Sequence, residues 1–482
     1  MSNLPASWLR CPLGDVVNYG ATQKAEPEEI ADEAWVLELE DVEKDTSRVL
    51  QRMTFKQRQS KSTKNRFAAG DVLYGKLRPY LNKVVFADAD GYCTTEIVPI
   101  KASEAVKSRY LFHWLKSATF IDYVTSVSHG LNMPRLGTDA GKQAPFVLAP
   151  LPEQTRIADK LDAVLARVDA CRDRLDRVPG ILKRFRQSVL AAATSGKLTE
   201  DWRAEQGARM QPQAESGNVA RDAAELRYHV TTTPDSAALH PGYEGWTYER
   251  AADVCTKVQS GGTPKEGFVD VGIPFLKVYN IVNQQVAFDY KPQYIDTSIH
   301  SGSMSKSQVQ PGDVLMNIVG PPLGKVAIVP DTHAAWNINQ AITLFRPSKR
   351  ITTGWLYCIL CGGENIAEIV HETRGSAGQT NISLSQCRDF VFPVPPMKEQ
   401  TEIIRRVESL FAYADRLEAR YKTARAQVEK LTPALLAKAF RGELVPQDPN
   451  DEPAAVLLAR IRAGRGDQSA HKPKRGRKAV TV

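Results

Sequence analysis

The sequence predicts an α/β protein: two similar mixed α/β domains, separated by two long helices that pair as an antiparallel coiled coil, in an internal repeat with pseudo-twofold character. Three observations lead there. Glu153, Gln154, Thr155, Ile157, Asp169, Arg174, Leu190, Ala191, Ala193, Gly196 and Leu198 each recur 246 positions later, with no insertion or deletion, which marks an internal duplication. Within both copies apolar residues alternate steps of four and three, the seam of a coiled coil rather than the wider stripe of a globular helix. Outside the copies, Gly70-Asp71-Val72-Leu73 with Pro79, Leu81, Lys83 and Val84 returns as Gly312-Asp313-Val314-Leu315 with Pro321, Leu323, Lys325 and Val326. The offset is a constant 242, and Lys64 and Lys306 keep it too.

Residues 1–150 form the first domain. Trp8 to Val17 opens it, and an acidic stretch follows from Glu26 to Glu43. Alternating apolar runs at Ala34–Leu39, Val72–Leu77, Lys83–Ala87 and Ile97–Ile100 predict short strands, and Tyr110–Leu115 predicts a buried helix. Residues 151–198 carry the first long helix. Its seam runs through Ile157, Leu161, Val164, Val168, Cys171, Leu175, Val178, Leu182, Phe185, Val189 and Ala192. From Glu153 to Ala192 a continuous helix spans ~60 Å at ~1.5 Å per residue.

Residues 199–240 are polar, rich in Ala, Gln, Glu and Ser, and predict a linker. Residues 241–395 form the second domain, which opens at Gly242-Tyr243-Glu244-Gly245-Trp246 much as the first opens at Trp8. Residues 396–445 carry the second long helix, with the seam Ile403, Val407, Leu410, Ala414, Leu417, Tyr421, Ala424, Val428, Leu431 and Leu435. Pro179-Gly180 and Pro433 should bend these helices without breaking them, because the seam keeps its phase across both. Gly196 and Gly442 stand where a helix C-terminal glycine is wanted. The first helix leads away from its domain and the second can run back, so antiparallel pairing is the economical arrangement. Residues 446–482 hold a short amphipathic helix, Ala454 to Ile461, and a basic tail.

A chain of 482 residues has room for two or three cores. It has no apolar run of about 18 residues, the length a membrane span needs, and Met1-Ser2-Asn3-Leu4-Pro5 lacks the features of a signal peptide. Seven scattered cysteines, an odd number, suit a reducing cytoplasm better than a disulfide framework. The net charge of +8 lies almost wholly in residues 460–482, where eight Lys or Arg face one Asp, so the charge total alone argues little about partners.

Local charge argues more. Residues 54 to 83 contain Lys56, Arg58, Lys61, Lys64, Arg66, Lys76, Arg78 and Lys83 against Asp71 alone, interleaved with Ser60, Ser62, Thr63, Asn65, Tyr74 and Tyr80. That mixture suits phosphate neutralisation with hydrogen bonding to base edges, though a charge run is more often a solvated face. Asn132 and Arg135 join the candidate set for DNA contact. In the second domain the candidates are Ser260, Thr263 and Lys265 on the turn Ser260-Gly261-Gly262-Thr263-Pro264-Lys265, then Tyr279, Asn280, Lys306, Lys325, Asn339 and Gln340. Arg374, Ser376 and Gln379 complete them. Amide and guanidinium side chains of this kind read adenine and guanine, and they are equally at home in plain turns.

Sharper motifs fail. Gly70 to Lys76 fits Gly-x4-Gly-Lys, but Leu77 stands where a phosphate loop needs Ser or Thr. Cys358-x2-Cys361 has metal spacing but no second pair, and it sits in an apolar run that reads as core. The histidines show no metal spacing, and neither a Gly-x-Ser-x-Gly elbow nor an Asn-Pro-Pro-aromatic motif occurs. No metal site and no catalytic constellation is predicted.

With these residues in view, the chain resembles the specificity subunit of a type I restriction–modification enzyme over nearly its whole length. The resemblance is carried by Ala149-Pro150-Leu151-Pro152-Glu153-Gln154, Ile181 to Leu190, Gly196-Lys197-Leu198-Thr199 and Pro446 to Ala454. Gly70 to Leu81 and Ser260-Gly261-Gly262-Thr263-Pro264 resemble recurrent motifs of that family's two target-recognition domains. It implies that each domain reads one half of an asymmetric bipartite site on double-stranded DNA, while the helices set the unread spacer. It also implies that two methyltransferase subunits dock on this chain and two restriction subunits join for cleavage. S-adenosylmethionine, ATP and magnesium would belong to those partners, with no cofactor in this chain. The seam flanks and the run Ala454 to Ile461 are candidate docking surfaces. Two rival readings are a self-contained DNA methyltransferase or nuclease, and a coiled-coil protein scaffold with no DNA role.

Overall fold

The computed structural model describes residues 4–130, 132–207, 245–367 and 381–470. The chain divides into two compact units, Met1–Asp176 with Lys422–Val482, and Arg177–Tyr421. Each unit thus takes a piece of both long helices, a division the domain-by-domain reading of the sequence did not draw.

Unit 1 is built on a three-stranded antiparallel sheet in the order Val84–Phe86, Val72–Gly75, Ile97–Ile100. Alternation along these strands explains their place. Val72, Tyr74, Val98 and Ile100 face a core shared with helices Ser108–Leu115 and Ala118–Val127, while Leu73, Val85 and Ile97 face a second core. The sheet is apolar on both sides because it is covered on both sides. A five-stranded sheet ordered Gln23–Ala25, Lys64–Phe67, Gly91–Thr94, Trp35–Leu37, Met53–Thr54 contributes Leu37, Phe67 and Cys93 to that second core. Leu9–Pro12 pairs with Pro145–Leu148, so the first and last strands of the domain meet just before the first long helix starts at Leu151.

Unit 2 repeats the plan. Its main sheet is ordered Cys255–Ser260, Ile342–Pro347, Val314–Asn317, Val326–Ile328. Val314, Met316, Val326 and Phe345 face one core, and Leu315, Ala327, Ile342 and Leu344 face another. Thr247–Arg250 pairs with Val391–Val394 just before the second long helix begins at Met397. The repeated Gly-Asp pair has one job in both units. Gly70 and Gly312 take φ of +90° and +87°, and the next aspartate caps the turn, accepting from the Ala68 or Gln310 N–H at 2.9 or 3.0 Å.

The long helices, Leu151–Thr194 and Met397–Ala439, run unbroken through Pro179 and Pro433. Gly196 and Gly442 follow their ends with φ of +76° and +77°. In unit 1 Ile157, Leu161 and Leu165 share a core with Leu436, Ala439 and Phe440, while Asp176 pairs with Arg425 at 3.1 Å. In unit 2 Val189, Leu190 and Ala193 share a core with Ile403 and Val407, while Arg186 reaches Asp415 at 2.7 Å and Glu418 at 2.9 Å. Early residues of one helix meet late residues of the other, so within each unit the pairing is antiparallel.

Parts of the predicted seam change. At its start the first helix buries Leu165 rather than Val164, because there it enters a globular core and needs a wider stripe. Cys171 and Leu431, both assigned to the seam, are exposed. The predicted linker is also corrected at its start. Glu200–Gly207 is helical, and Arg203 bonds to the buried Glu399 while Arg406 bonds to Asp201 at 2.6 Å. The linker beyond residue 207 and the tail beyond residue 470 lie outside the described residues. The amphipathic run is helical over Ala454–Ala470, but Ala454, Leu457 and Leu458 are buried, the first and last of them in the core of unit 1. Its apolar face is taken by the chain itself and is not a free docking surface.

One buried cation makes unit 1 sensitive to pH. Burial pushes the Lys116 ammonium down to about 8 from 10.5, with the Asp169 carboxylate offsetting only part, and its Nζ lies 4.9 Å from the Phe112 ring centroid. Below about pH 8 folded and unfolded chains both hold the proton, and the folded state carries the full cost. Between about 8 and 10.5 only the unfolded chain holds it, so stability rises with pH across that window. Lys116→Met should therefore stabilise unit 1 at neutral pH and flatten the rise. Unfolding midpoints of the two proteins that climb in parallel above pH ~8 would rule this out.

Candidate nucleic-acid interface

The frame of each unit is set by the repeated Glu-Gln pair at the helix start. Gln154 is fully buried: its Nε2 donates to the Ala105 and Ala149 carbonyls at 2.9 Å each, and its Oε1 accepts from the Lys107 N–H at 2.9 Å. Gln400 does the same with Arg350, Pro395 and Thr352. Glu153 and Glu399 accept from the indole N–H of Trp8 and Trp246, at 2.8 and 2.9 Å. Each opening tryptophan is thereby fastened to the base of its long helix, through polar groups that would be costly to bury unpaired.

On that frame, unit 1 brings several of the candidate residues together. The Arg78 N–H donates to the Pro134 carbonyl at 2.7 Å and the Leu136 N–H donates to the Lys76 carbonyl at 3.0 Å. Lys76, Arg78, Asn132 and Arg135 therefore lie on adjoining segments. Arg78 is exposed at a left-handed φ of 50°, and the guanidinium of Arg135 rests on Glu96 at 3.2 Å. Lys61 and Arg66 are exposed; Lys56 is exposed beside Asp32 at 3.5 Å.

Three other cations of the basic stretch turn inward, against the expectation of DNA contact. The Arg58 side chain is 6% exposed and bonds to Asp41, with Glu38 and Glu40 beside it. Lys64 is buried, with Nζ bonded to Ser62 at 3.0 Å and near Glu38 at 3.5 Å. Lys83 is half-buried and donates to the Leu39 carbonyl at 2.7 Å. The acidic stretch earlier in the chain supplies most of these partners. A buried charge needs such pairing, so these cations hold the unit together.

In unit 2 the turn after Cys255–Ser260 packs on the run Asn337 to Gln340. The Gly262 N–H donates to the Ile338 carbonyl at 3.1 Å, and Thr263 Oγ1 donates to Gln340 Oε1 at 2.7 Å. Gly261 lies so close that an added Cβ would stand 2.1 Å from the Asn339 carbonyl oxygen. Ser260, Thr263, Asn339 and Gln340 are thus one cluster, with Lys265 exposed on the same turn. Lys306 is exposed on a separate turn, Ser305–Ser307, and Lys325 is half-buried. Tyr279 is half-buried, its hydroxyl donating to the Lys291 carbonyl at 3.4 Å. Asn280 is corrected: it is fully buried, its amide donating to the Tyr290 carbonyl at 2.9 Å and its oxygen accepting from the Lys277 N–H at 2.9 Å. Arg374, Ser376 and Gln379 lie outside the described residues.

Sequence reasoning passed over an exposed aromatic run next to Tyr279. The Lys277 Nζ lies 4.6 Å from the ring of exposed Phe268, and the Lys291 Nζ lies 5.4 Å from that of exposed Tyr290. Cys358 and Cys361 lie on helix Thr353–Gly362 in the core of unit 2, where burial pushes both thiols up to about 12. No group of His, Cys, Asp or Glu among the described residues is arranged to hold a metal ion.

The model of the type I restriction modification DNA specificity domain matches residues 5–178 and again 243–425. The chain belongs to that family. Among relatives of this specificity chain, the EcoKI specificity subunit of Escherichia coli K12 is 28% identical over 388 residues, 78% of this chain and 76% of the relative. The StySPI specificity subunit of Salmonella potsdam is 29% identical over 393 residues, again 78% and 76%. A chain solved in work on complex assembly and conformational transition of the type I R-M system superposes with a TM-score of 0.68 at 19% identity, covering 92% of this chain and 100% of that one. The HsdS subunit of Thermoanaerobacter tengcongensis gives 0.55 at 21%, covering 92% and 98%. These two likenesses show that the specificity chain shares their fold.

Proposed function

We propose that this specificity subunit reads DNA for a type I restriction–modification complex, each unit recognising one half of a bipartite duplex site. The observation that carries the reading is the match of the specificity model to both halves of the chain, each half being a complete α/β unit braced on the same pair of helices. Outside the shared sheet the halves differ. Unit 1 offers the Lys76–Arg78 and Asn132–Arg135 edge, while unit 2 offers the Ser260–Lys265 turn against Asn339 and Gln340. Unlike readers imply an asymmetric site. The helices would fix the count of unread base pairs between its halves, and two weak readers held at a set separation bind as one strong one.

Chemistry belongs to the partners in this proposal: two methyltransferase subunits and two restriction subunits, bringing S-adenosylmethionine, ATP and magnesium. This chain would act in the cytoplasm, on the host chromosome and incoming DNA. No helix of the described residues is long and apolar enough to cross a membrane. Mapping methylated adenines in the native genome, with and without the gene, should reveal one bipartite motif that vanishes on deletion. Replacing residues 1–150 by another first domain should change one half of that motif and leave the other intact. A swap that altered both halves would defeat the division of labour.

A further inference from the structure

Unit 1 contains a cleft of about 320 Å³ between Thr22, Lys24, Asn65, Lys76, Thr95 and Thr138, with Tyr19 beneath. Two of its walls are cationic and no carboxylate lines it. Several surface cations of unit 1 sit beside acids, as Lys56 does with Asp32, Lys142 with Asp139 and Arg135 with Glu96. Lys24 and Lys76 have no ion pair among the described residues. The acid placed to neutralise Lys76 is Glu96, whose backbone carbonyl accepts the Lys76 N–H at 2.9 Å, but its carboxylate is engaged by Arg135.

The cleft is built rather than incidental. Lys24 is paired with Asn65 across adjacent strands, and Lys76 is held by main-chain bonds on both sides, to Glu96 and from Leu136. Beneath them the packing leaves no slack. An added Cβ on Gly141 would stand 2.1 Å from the Tyr19 ring, and one on Gly20, at φ +84°, 2.6 Å from the Thr138 methyl. Two lysines and three threonines line this hollow, side chains whose donors suit oxygens carrying negative charge. Its volume is at the lower end of the ~300–1,000 Å³ typical of small-ligand sites.

We infer that this cleft seats a phosphate group, with Lys24 and Lys76 neutralising it and the threonines donating to its oxygens. The inference rests on the DNA-reading function proposed above, and the backbone of a bound duplex is one source of such a group. A free phosphate ester is the other.

The test uses the complex purified through a tag on the full chain, with native, Lys24→Gln, Lys76→Gln and doubly substituted proteins. Affinity for a duplex carrying the methylated motif is measured across salt, alongside calorimetric titration with inorganic phosphate. Neither lysine has an ion pair among the described residues, so all four should melt alike. If both lysines face one backbone phosphate, the double substitution flattens the log–log salt slope by about 0.9, the share of one contact. A loss near 1.8 would mean two separate contacts and would overturn the shared cleft. An unchanged duplex slope, with phosphate binding lost only in the double variant, supports the cleft and assigns it to a free ester. An unchanged slope without phosphate binding to the native protein overturns the inference. A native complex that fails to bind the duplex at all refutes the DNA reading instead, and the phosphate titration then decides the cleft alone.

Discussion

Asp41→Ala should cost unit 1 about 3–5 kcal/mol, the loss usual when one partner of a buried ion pair is removed. Asp41 is fully buried and bonds to the Arg58 guanidinium, the Gln51 side-chain amide at 2.9 Å and the Glu38 N–H at 2.8 Å. Without it, Arg58 keeps only Glu38 at 3.5 Å and the largely exposed Glu40 at 3.2 Å, while two further donors lose their acceptor. Denaturant unfolding followed by hydrogen exchange, which resolves peptides of unit 1 from those of unit 2, gives the readout. A loss below about 1 kcal/mol would show that water reaches Arg58 and that the cluster is a surface feature. Replacing both partners, as Asp41→Leu with Arg58→Met, should recover much of the loss, because no charge is then left stranded.

That cluster marks the boundary of what the sequence discloses. The three-stranded sheet of unit 1 and the long helices were legible because period and phase are local properties: Val72 to Tyr74 alternate between two cores, and each helix repeats its seam for dozens of residues. The charge run of residues 54 to 83 was legible as a composition but not as a surface. Whether Arg58 points out or in depends on Asp41, and whether Lys64 does depends on Glu38, on strands and turns that only the fold brings near. The Glu-Gln repeat was visible too, yet its purpose was hidden, since Gln154 satisfies groups at Ala105 and Lys107, far along the chain. The helix Glu200–Gly207 did leave a signal in the acids Glu200 and Asp201 of its first turn, outweighed by the polar composition that follows. The cleft beside Lys24 left none, because an unpaired lysine is recognised only by the absence of acids around it in space.

A heptad added to both long helices should abolish methylation at the native spacing and move it to a longer one. The insertion points follow from the antiparallel pairing seen within each unit. Asp176 and Tyr421 are the last residues before the chain passes between units, and the Asp176–Arg425 ion pair, at 3.1 Å, puts those two stretches at one level. Seven residues after Asp176, matched by seven after Tyr421, keep the seam in phase and preserve that ion pair as well as Arg186 with Asp415 and Glu418. Each helix lengthens by ~10 Å at ~1.5 Å per residue, which is about three base pairs at ~3.4 Å. Three base pairs also turn the duplex by almost a third of its ~10.5 bp period, so the readers must find a site shifted in both distance and phase. Adding the heptad to the first helix alone should instead break the pairing and destabilise the chain, separating the ruler effect from simple damage. If the doubly extended protein still directs methylation at the original spacing, the helices do not measure the site and the two readers find their half-sites independently.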